Sequence, residues 1–269
     1  MIQAVVFDWA GTMVDYGCFA PLNVFMEVFR KREIAITLSE ARAPMGLLKR
    51  DHISEILKME RVAGLWLERY GQLPQETDVD ALYADFEPMM LAVVHEYAEP
   101  VPGALALVDR LRQNGIRIGS TTGYTAEMMA IVTVEAKKRG YAPDHLVTPN
   151  DVPAGRPYPW MIYENAAALN VYPMYNVIKV GDTVSDIREG VNAGTWTIGV
   201  VLGSSELGMS EAEVEACDPE VLKARMEAVT AKFQEEGAHY VIQTIGELDQ
   251  LIPVINQKLQ RGERPCQQR

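Results

Sequence analysis

Cysteine is scarce. Cys18, Cys217 and Cys266 are the three in 269 residues, far apart and with no CxxC pair. Such usage argues against a disulfide framework and a cysteine-ligated zinc site, and fits a reducing, cytoplasmic setting. Long apolar runs are missing as well. Each is broken by charge well short of the roughly 18 residues that a membrane-crossing helix needs. The opening MIQAVVFDWAG lacks the basic region and small-residue cleavage site of a secretory signal, so a soluble, untargeted chain with no membrane partner is expected. Positive charge is in short supply, 25 Lys and Arg against 37 Asp and Glu, a formal net charge of -12. No extended surface here would release counterions from a phosphate backbone, so nucleic acid is not expected as a partner. An anionic ligand would need a local site that overcomes the global field. His95, His145 and His239 have no partner at metal-ligand spacing and read as packing or surface residues.

What the chain does have is apolar content, 48% hydrophobic against 23% charged, enough for one sizeable core or a core carrying an insertion. Short apolar runs at 4–7, 116–119, 177–180 and 197–201 read as buried parallel strands. Helical patterns at 103–113, 126–138, 159–169 and 184–193 lie between them. This alternation predicts an α/β fold with a doubly wound, Rossmann-like parallel sheet. Between the first two strands lies a long stretch with helical periodicity and no strand. Helices are expected at 21–32, 38–58 with a restart at Pro44, 61–70 and 80–97. A crossover needs far fewer residues, so the expected division is a core of 1–16 and 99–269 with a helical cap, 17–98, inserted over the ligand crevice. Beyond Gly203 a long helix over 210–236, a strand at 239–244 and a helix over 245–259 are expected, followed by a fraying polar tail.

Four chemical elements fall at strand ends. Asp8 directly follows AVVF, where a carboxylate can act as nucleophile, hold a metal or cap the next turn. Ser120-Thr121-Thr122-Gly123-Tyr124 precedes a helix, a setting for a phosphate and equally for an ordinary N-cap. Val180-Gly181-Asp182-Thr183-Val184-Ser185-Asp186 ends a strand in an acid with a second acid one turn on; with Asp8 these could clamp Mg²⁺ or form an acidic turn without metal. Arg156 sits in a proline-flanked loop, GRPYP, where a planar donor fork suits a phosphoryl group, although a lone loop arginine is commonly a surface cation. The conjunction of the four, in this order, is informative where each alone is not.

The series DWAGT, STTG, GRPYP and GDTVSD resembles the motifs of the haloacid dehalogenase superfamily, across residues 1–16 and about 99–203. The resemblance implies Asp8 as the nucleophile that forms an aspartyl-phosphate, Thr122 as the hydroxyl of the second motif, Arg156 as the third-motif cation, Asp182 as magnesium ligand and Asp186 as its support. Two residues after the nucleophile, where most phosphatases of the superfamily carry a second Asp as acid and base, stands Ala10. Alanine cannot protonate an alkoxide leaving group, although its carbonyl can still ligate Mg²⁺. The missing acid makes sense if the leaving atom is carbon, whose electron pair a lysine imine can accept. The stretches ARAPMGLLKRDH, DWAGTMVDYGCFAP and DVPAGRPYPWM are similar, along nearly the whole chain, to the phosphonoacetaldehyde hydrolase family. That similarity implies cleavage of a carbon–phosphorus bond in phosphonate breakdown, with Lys49 as Schiff-base lysine and with Met45, His52, Cys18, Gly123 and Tyr124 near the substrate. Spacings of four and three residues would put Met45, Lys49 and His52 on one helix face. A homodimer through the cap is also implied; the apolar stretch 21–29 could supply the interface or pack within the cap. The rivals are an ordinary phosphatase of the same superfamily, against which Ala10 argues, and a catalytically silent scaffold, against which the intact Asp8, Lys49, Arg156 and Asp182 argue.

Overall fold

The computed structural model describes residues 1–265. The last of the tail expected to fray, 266–269 with Cys266, lies outside the described residues. Six strands form one parallel sheet: β1 (Ala4–Phe7), β2 (Arg117–Thr121), β3 (His145–Val147), β4 (Val177–Gly181), β5 (Trp196–Val200) and β6 (Tyr240–Ile242). Their spatial order is β3-β2-β1-β4-β5-β6. The strands β1, β4 and β5 are buried along their whole length, as short apolar runs covered by helices on both faces must be. This is the doubly wound α/β architecture that the alternating pattern predicts.

Between β1 and β2 the chain forms five helices, α1 (Phe19–Lys31), α2 (Leu38–Arg42), α3 (Lys49–Lys58), α4 (Glu60–Tyr70) and α5 (Glu76–Val93), and then α6 (Ala104–Gln113) returns to the sheet. The remaining helices are α7 (Ala126–Lys138), α8 (Trp160–Ala168), α9 (Val184–Ala193), α10 (Glu211–Ala216), α11 (Pro219–Glu235) and α12 (Leu248–Gln260). The stretches that lead out to α1 and back from α5 run side by side. The Asp15 amide donates to Glu99 O at 3.2 Å and the Val101 amide to Met13 O at 2.9 Å. Most of the apolar residues of 21–29 pack inward rather than offering a free face, with Phe25 stacked on Phe86 at 4.4 Å between ring centroids.

The expected helix over 38–58 with a restart at Pro44 is corrected. The chain leaves α2 at Arg42 and re-enters helix only at Lys49, because Gly46 adopts φ +89°, outside helical space, and Pro44 offers no amide. Met45 therefore sits in a turn and does not share a helix face with Lys49 and His52. The single helix expected over 210–236 is two, broken at Cys217; the Asp218 carboxylate accepts from the Glu220 and Val221 amides and Pro219 opens α11. The helix expected over 80–97 starts earlier, at Glu76, and tightens into a 3-10 turn over Val94–Tyr97. The edge strand β3 was not anticipated; three residues, two of them only half-buried, carry little periodic signal.

Candidate active site

The strand order turns about β1, with β2 on one side and β4 on the other, so the carboxyl ends of these three strands flank a crevice. Asp8 is the first residue past β1, where its amide donates to Val180 O at 2.9 Å. Asp182, the first past β4, is held by the Thr12 hydroxyl, which donates to Oδ1 at 2.9 Å, and by the Ser205 amide, which donates to Oδ2 at 2.8 Å. The turn after Asp8 needs Gly11: its φ is +88°, and a Cβ there would lie 2.2 Å from Asp182 Oδ2.

Behind these two carboxylates lies a fully buried charge network. Arg156 Nη2 contacts Asp8 Oδ1 at 2.5 Å and Asp186 Oδ1 at 3.0 Å, and donates to Thr121 Oγ1 at 2.8 Å, while its Nε donates to Glu189 Oε2 at 3.0 Å. Lys179, inside β4, pairs with Asp186 at 2.8 Å and Glu189 at 3.1 Å and donates to Thr121 Oγ1 at 2.7 Å. Arg156 is thus no loose surface cation; the loop that carries it delivers the guanidinium to Asp8. Burial works against ionised Asp186, but Arg156 and Lys179 hold its carboxyl below the ordinary range. The Asp8 carboxyl is pushed up, by burial first and by the charge of Asp186, against the pull of Arg156. Asp182 is pushed well up by burial and then by Asp8 and Asp186.

Four buried carboxylates, Asp8, Asp182, Asp186 and Glu189, thus face two paired cations, Arg156 and Lys179, an excess of two negative charges. Oxygens of Asp8, Asp182 and Asp186 lie within 4.8 Å of one another. An all-oxygen set with uncompensated negative charge fits a hard divalent cation, whose charge would restore the ionised form of the carboxylates that burial and mutual repulsion now disfavour.

The wall facing these strand ends comes from the helical insertion. The turn between α2 and α3 rests directly on the core: a Cβ on Gly46 would lie 2.4 Å from Thr183 Oγ1, and one on Gly123 would lie 2.7 Å from Leu47 O. The Ser185 hydroxyl donates to Met45 O at 3.2 Å across the same seam. Together these surfaces narrow the crevice to a small cavity of about 10 Å³. On the core side Asp8, Ala10, Thr122, Gly123, Tyr124 and Arg156 line it; on the insertion side Cys18, Met45, Gly46 and Lys49 do.

Lys49 opens α3 and is 2% exposed, with Nζ 4.9 Å from the centroid of the Tyr124 ring. Burial lowers its amine to about 8. Burial, reinforced by neighbouring carboxylates, raises the Cys18 thiol and the Tyr124 phenol well above their ordinary values, so both stay protonated at neutral pH. Thr122 Oγ1 accepts from the Tyr124 amide at 3.0 Å. His52 does not line the cavity. Its ring stacks on Phe25 at 3.9 Å, Nε2 donates to Ala41 O at 2.8 Å and Nδ1 is buried without a partner. Burial, and then the charge of Lys49, holds this imidazole neutral.

Nine of the residues singled out in the sequence therefore share one cavity, with Asp182 and Asp186 in the carboxylate cluster at its edge and His52 behind it. Lys179, Glu189, Thr12 and Ser205 carry no role in the sequence reading, and Thr121 enters it only as a member of the motif after β2. A lysine inside the apolar run VIKVG and a glutamate three residues after Asp186 on one helix were the available signals. His239, expected to serve packing, accepts at Nδ1 from the Thr197 amide at 3.0 Å.

The model of the haloacid dehalogenase-like hydrolase family matches residues 2–194. A curated relative named phosphonoacetaldehyde hydrolase, from Bacillus cytotoxicus, is 59% identical over 257 residues, covering 96% of this chain and 97% of its own. A bifunctional phosphonoacetaldehyde hydrolase/aminoethylphosphonate transaminase from Clostridioides difficile is 57% identical over 251 residues, which are 93% of this chain and 40% of that longer one. Among solved structures, a phosphonoacetaldehyde hydrolase-like protein from Oleispira antarctica superposes with a TM-score of 0.95 at 38% identity, covering 98% of this chain and 96% of that one. The chain belongs to the haloacid dehalogenase-like hydrolases, and its relatives within that family are the phosphonoacetaldehyde hydrolases.

Proposed function

We propose that this enzyme hydrolyses the carbon–phosphorus bond of phosphonoacetaldehyde to acetaldehyde and phosphate, with Lys49 carrying the aldehyde as an imine and Asp8 accepting the phosphoryl group. One observation carries the reading: a buried amine, lowered to about 8, lines the same cavity as Asp8, while the position of the usual acid is Ala10. An amine is the group that a carbon leaving atom needs, and the absent acid is the group it does not need. The names of the relatives support the substrate. In the Clostridioides difficile protein the hydrolase is joined to a transaminase, an enzyme class that turns a primary amine into a carbonyl compound.

In this mechanism Lys49 condenses with the aldehyde; an ammonium and an aldehyde together give a protonated imine and water. Asp8 attacks phosphorus in line, the carbon–phosphorus bond breaks, and its electron pair passes into the imine to give an enamine. Arg156, already 2.5 Å from Asp8, and the Thr122-Gly123 turn bind the phosphoryl oxygens. The enamine takes up a proton at carbon. One water then frees acetaldehyde from Lys49, and another frees phosphate from Asp8. Asp8, Asp182 and the Ala10 carbonyl would hold Mg²⁺, supported by Asp186, and the ion would supply positive charge to the phosphoryl group. We assign 17–98 as a cap that must open to admit substrate, hinged where the two connecting stretches pair at Asp15 and Glu99. A cytoplasmic homodimer completes the proposal; no helix among the described residues is long and apolar enough to cross a membrane.

The test is a product assay on phosphonoacetaldehyde with and without Mg²⁺. Phosphate and acetaldehyde are expected in equal amounts, dependent on Mg²⁺ and lost in Lys49→Ala. No release by the wild-type enzyme would refute the assignment, and brisk phosphomonoester turnover by Lys49→Ala would point to a phosphatase.

A further inference from the structure

Arg42 ends α2, and its side chain reaches out of the helical insertion onto the core. Nη1 donates to Gly17 O at 2.8 Å and to Ser205 O at 3.1 Å, and Nη2 reaches Gly208 O at 3.4 Å. The guanidinium also stands 5.1 Å from the centroid of the Phe19 ring. A single side chain thus bridges the cap, the stretch by which the chain leaves the core, and the core loop after β5. That loop is shaped to receive it. Gly208 adopts φ +66°, and a Cβ there would lie 2.9 Å from Arg42 Nε. The same loop is tied to the hinge, since the Gly17 amide donates to Gly203 O at 2.7 Å. It is tied to the carboxylate cluster as well, because the Ser205 amide donates to Asp182 Oδ2 at 2.8 Å.

We propose that Arg42 is a positioning residue: it latches the cap shut and, through the loop 203–208, keeps Ser205 on the carboxylate of Asp182. Closure and assembly of the carboxylate cluster are then one event, because opening the cap releases Ser205 O and slackens the residue whose amide orients Asp182. The chemistry calls for arginine. A planar fork can reach several carbonyl oxygens at fixed angles and stack on an aromatic ring, whereas a lysine ammonium is a compact point charge without that geometry. Backbone carbonyls as acceptors also make the latch indifferent to pH. The inference rests on closure of the cap over the cavity and not on the identity of the substrate.

The experiment uses the whole enzyme without substrate. Limited proteolysis by a protease of broad specificity, mapped by mass spectrometry, reports opening at 15–18 and 97–102, and titration with Mg²⁺ alone, by calorimetry, reports the carboxylate cluster. Arg42→Ala should raise cleavage at the two connecting stretches and weaken Mg²⁺ binding, each by about tenfold, as expected when the closed population falls by that factor. Arg42→Lys should fail to restore either. Gly208→Ala perturbs the same contact from the core side and should give similar shifts, with the double variant no worse than either single one, because coupled sites are not additive. In turnover, kcat/KM should fall through a higher KM. Wild-type cleavage and wild-type Mg²⁺ affinity in Arg42→Ala would overturn the proposal, as would additive effects of the two substitutions. Neither readout needs the phosphonate, so failure of the latch and failure of the substrate assignment are distinguishable.

Discussion

The pH dependence of the reaction should be set by Lys49. Burial places its amine at about 8 where an ordinary lysine lies at 10.5. At pH 7 roughly one amine in ten is then neutral, against about one in three thousand for an ordinary lysine, a gain of a few hundred-fold that corresponds to about 3 kcal/mol. The folded state binds fewer protons than the unfolded one between those two values. The contribution of this group to stability is therefore complete above 10.5 and is lost as pH falls through about 8, so the enzyme bears the cost of a buried ammonium at neutral pH. The assay is single-turnover kcat/KM for phosphonoacetaldehyde from about pH 6 to about pH 9.5, with Mg²⁺ saturating at each point. The rate should climb nearly tenfold per unit below about 8 and level off above it. A profile flat across that range, or one still climbing tenfold per unit at its upper end, would refute the reasoning, because the amine would then be either uninvolved or unperturbed.

Other substitutions probe the remaining parts of the site. Asp182→Asn removes one of three mutually repelling carboxylates, so without Mg²⁺ its thermal midpoint should equal or exceed that of the wild type, while activity falls by about 10³ or more and the stabilisation by added Mg²⁺ expected of the wild type disappears; a clear loss of metal-free stability would contradict the charge account. Gly46→Ala places a Cβ 2.4 Å from Thr183 Oγ1 at a φ of +89°. Strain of this kind costs about 1–3 kcal/mol, and lifting the turn displaces Lys49, so kcat/KM should drop by about 10² with a lowered thermal midpoint. Ala10→Asp restores the acid that phosphatases use and should raise Lys49-independent hydrolysis of a phosphomonoester by about tenfold, within the usual range for general acid catalysis; unchanged ester hydrolysis would mean that residue 10 does not decide the leaving group.

The parallel sheet was legible because buried strands are written as short apolar runs separated by helical periodicity, and the carboxylates of the candidate site were legible because Asp8 and Asp182 directly follow such runs. The residues that hold them were harder to read. Lys179 and Glu189 are chosen by three-dimensional charge balance around Arg156, and Ser205 acts through its amide, which any residue but proline provides. The edge strand β3 pairs on one side only and carries three residues of signal. The turn 43–48 was mistaken for helix because its propensities are ordinary. What unwinds it is its fit against Thr183 and Gly123, a tertiary contact with no local signature. That error misplaced Met45 on a helix face without moving it out of the cavity, since the turn delivers Met45 and Lys49 to the same space.

The central claim is that the cap amine becomes covalently attached to the substrate carbon. The most direct measurement is borohydride reduction of the wild-type enzyme in the presence of phosphonoacetaldehyde, followed by peptide mass mapping. The account predicts a stable reduced adduct on Lys49, with loss of activity in proportion to labelling, and none on other lysines. Full protection of turnover from borohydride, or an adduct confined to lysines other than Lys49, would contradict it.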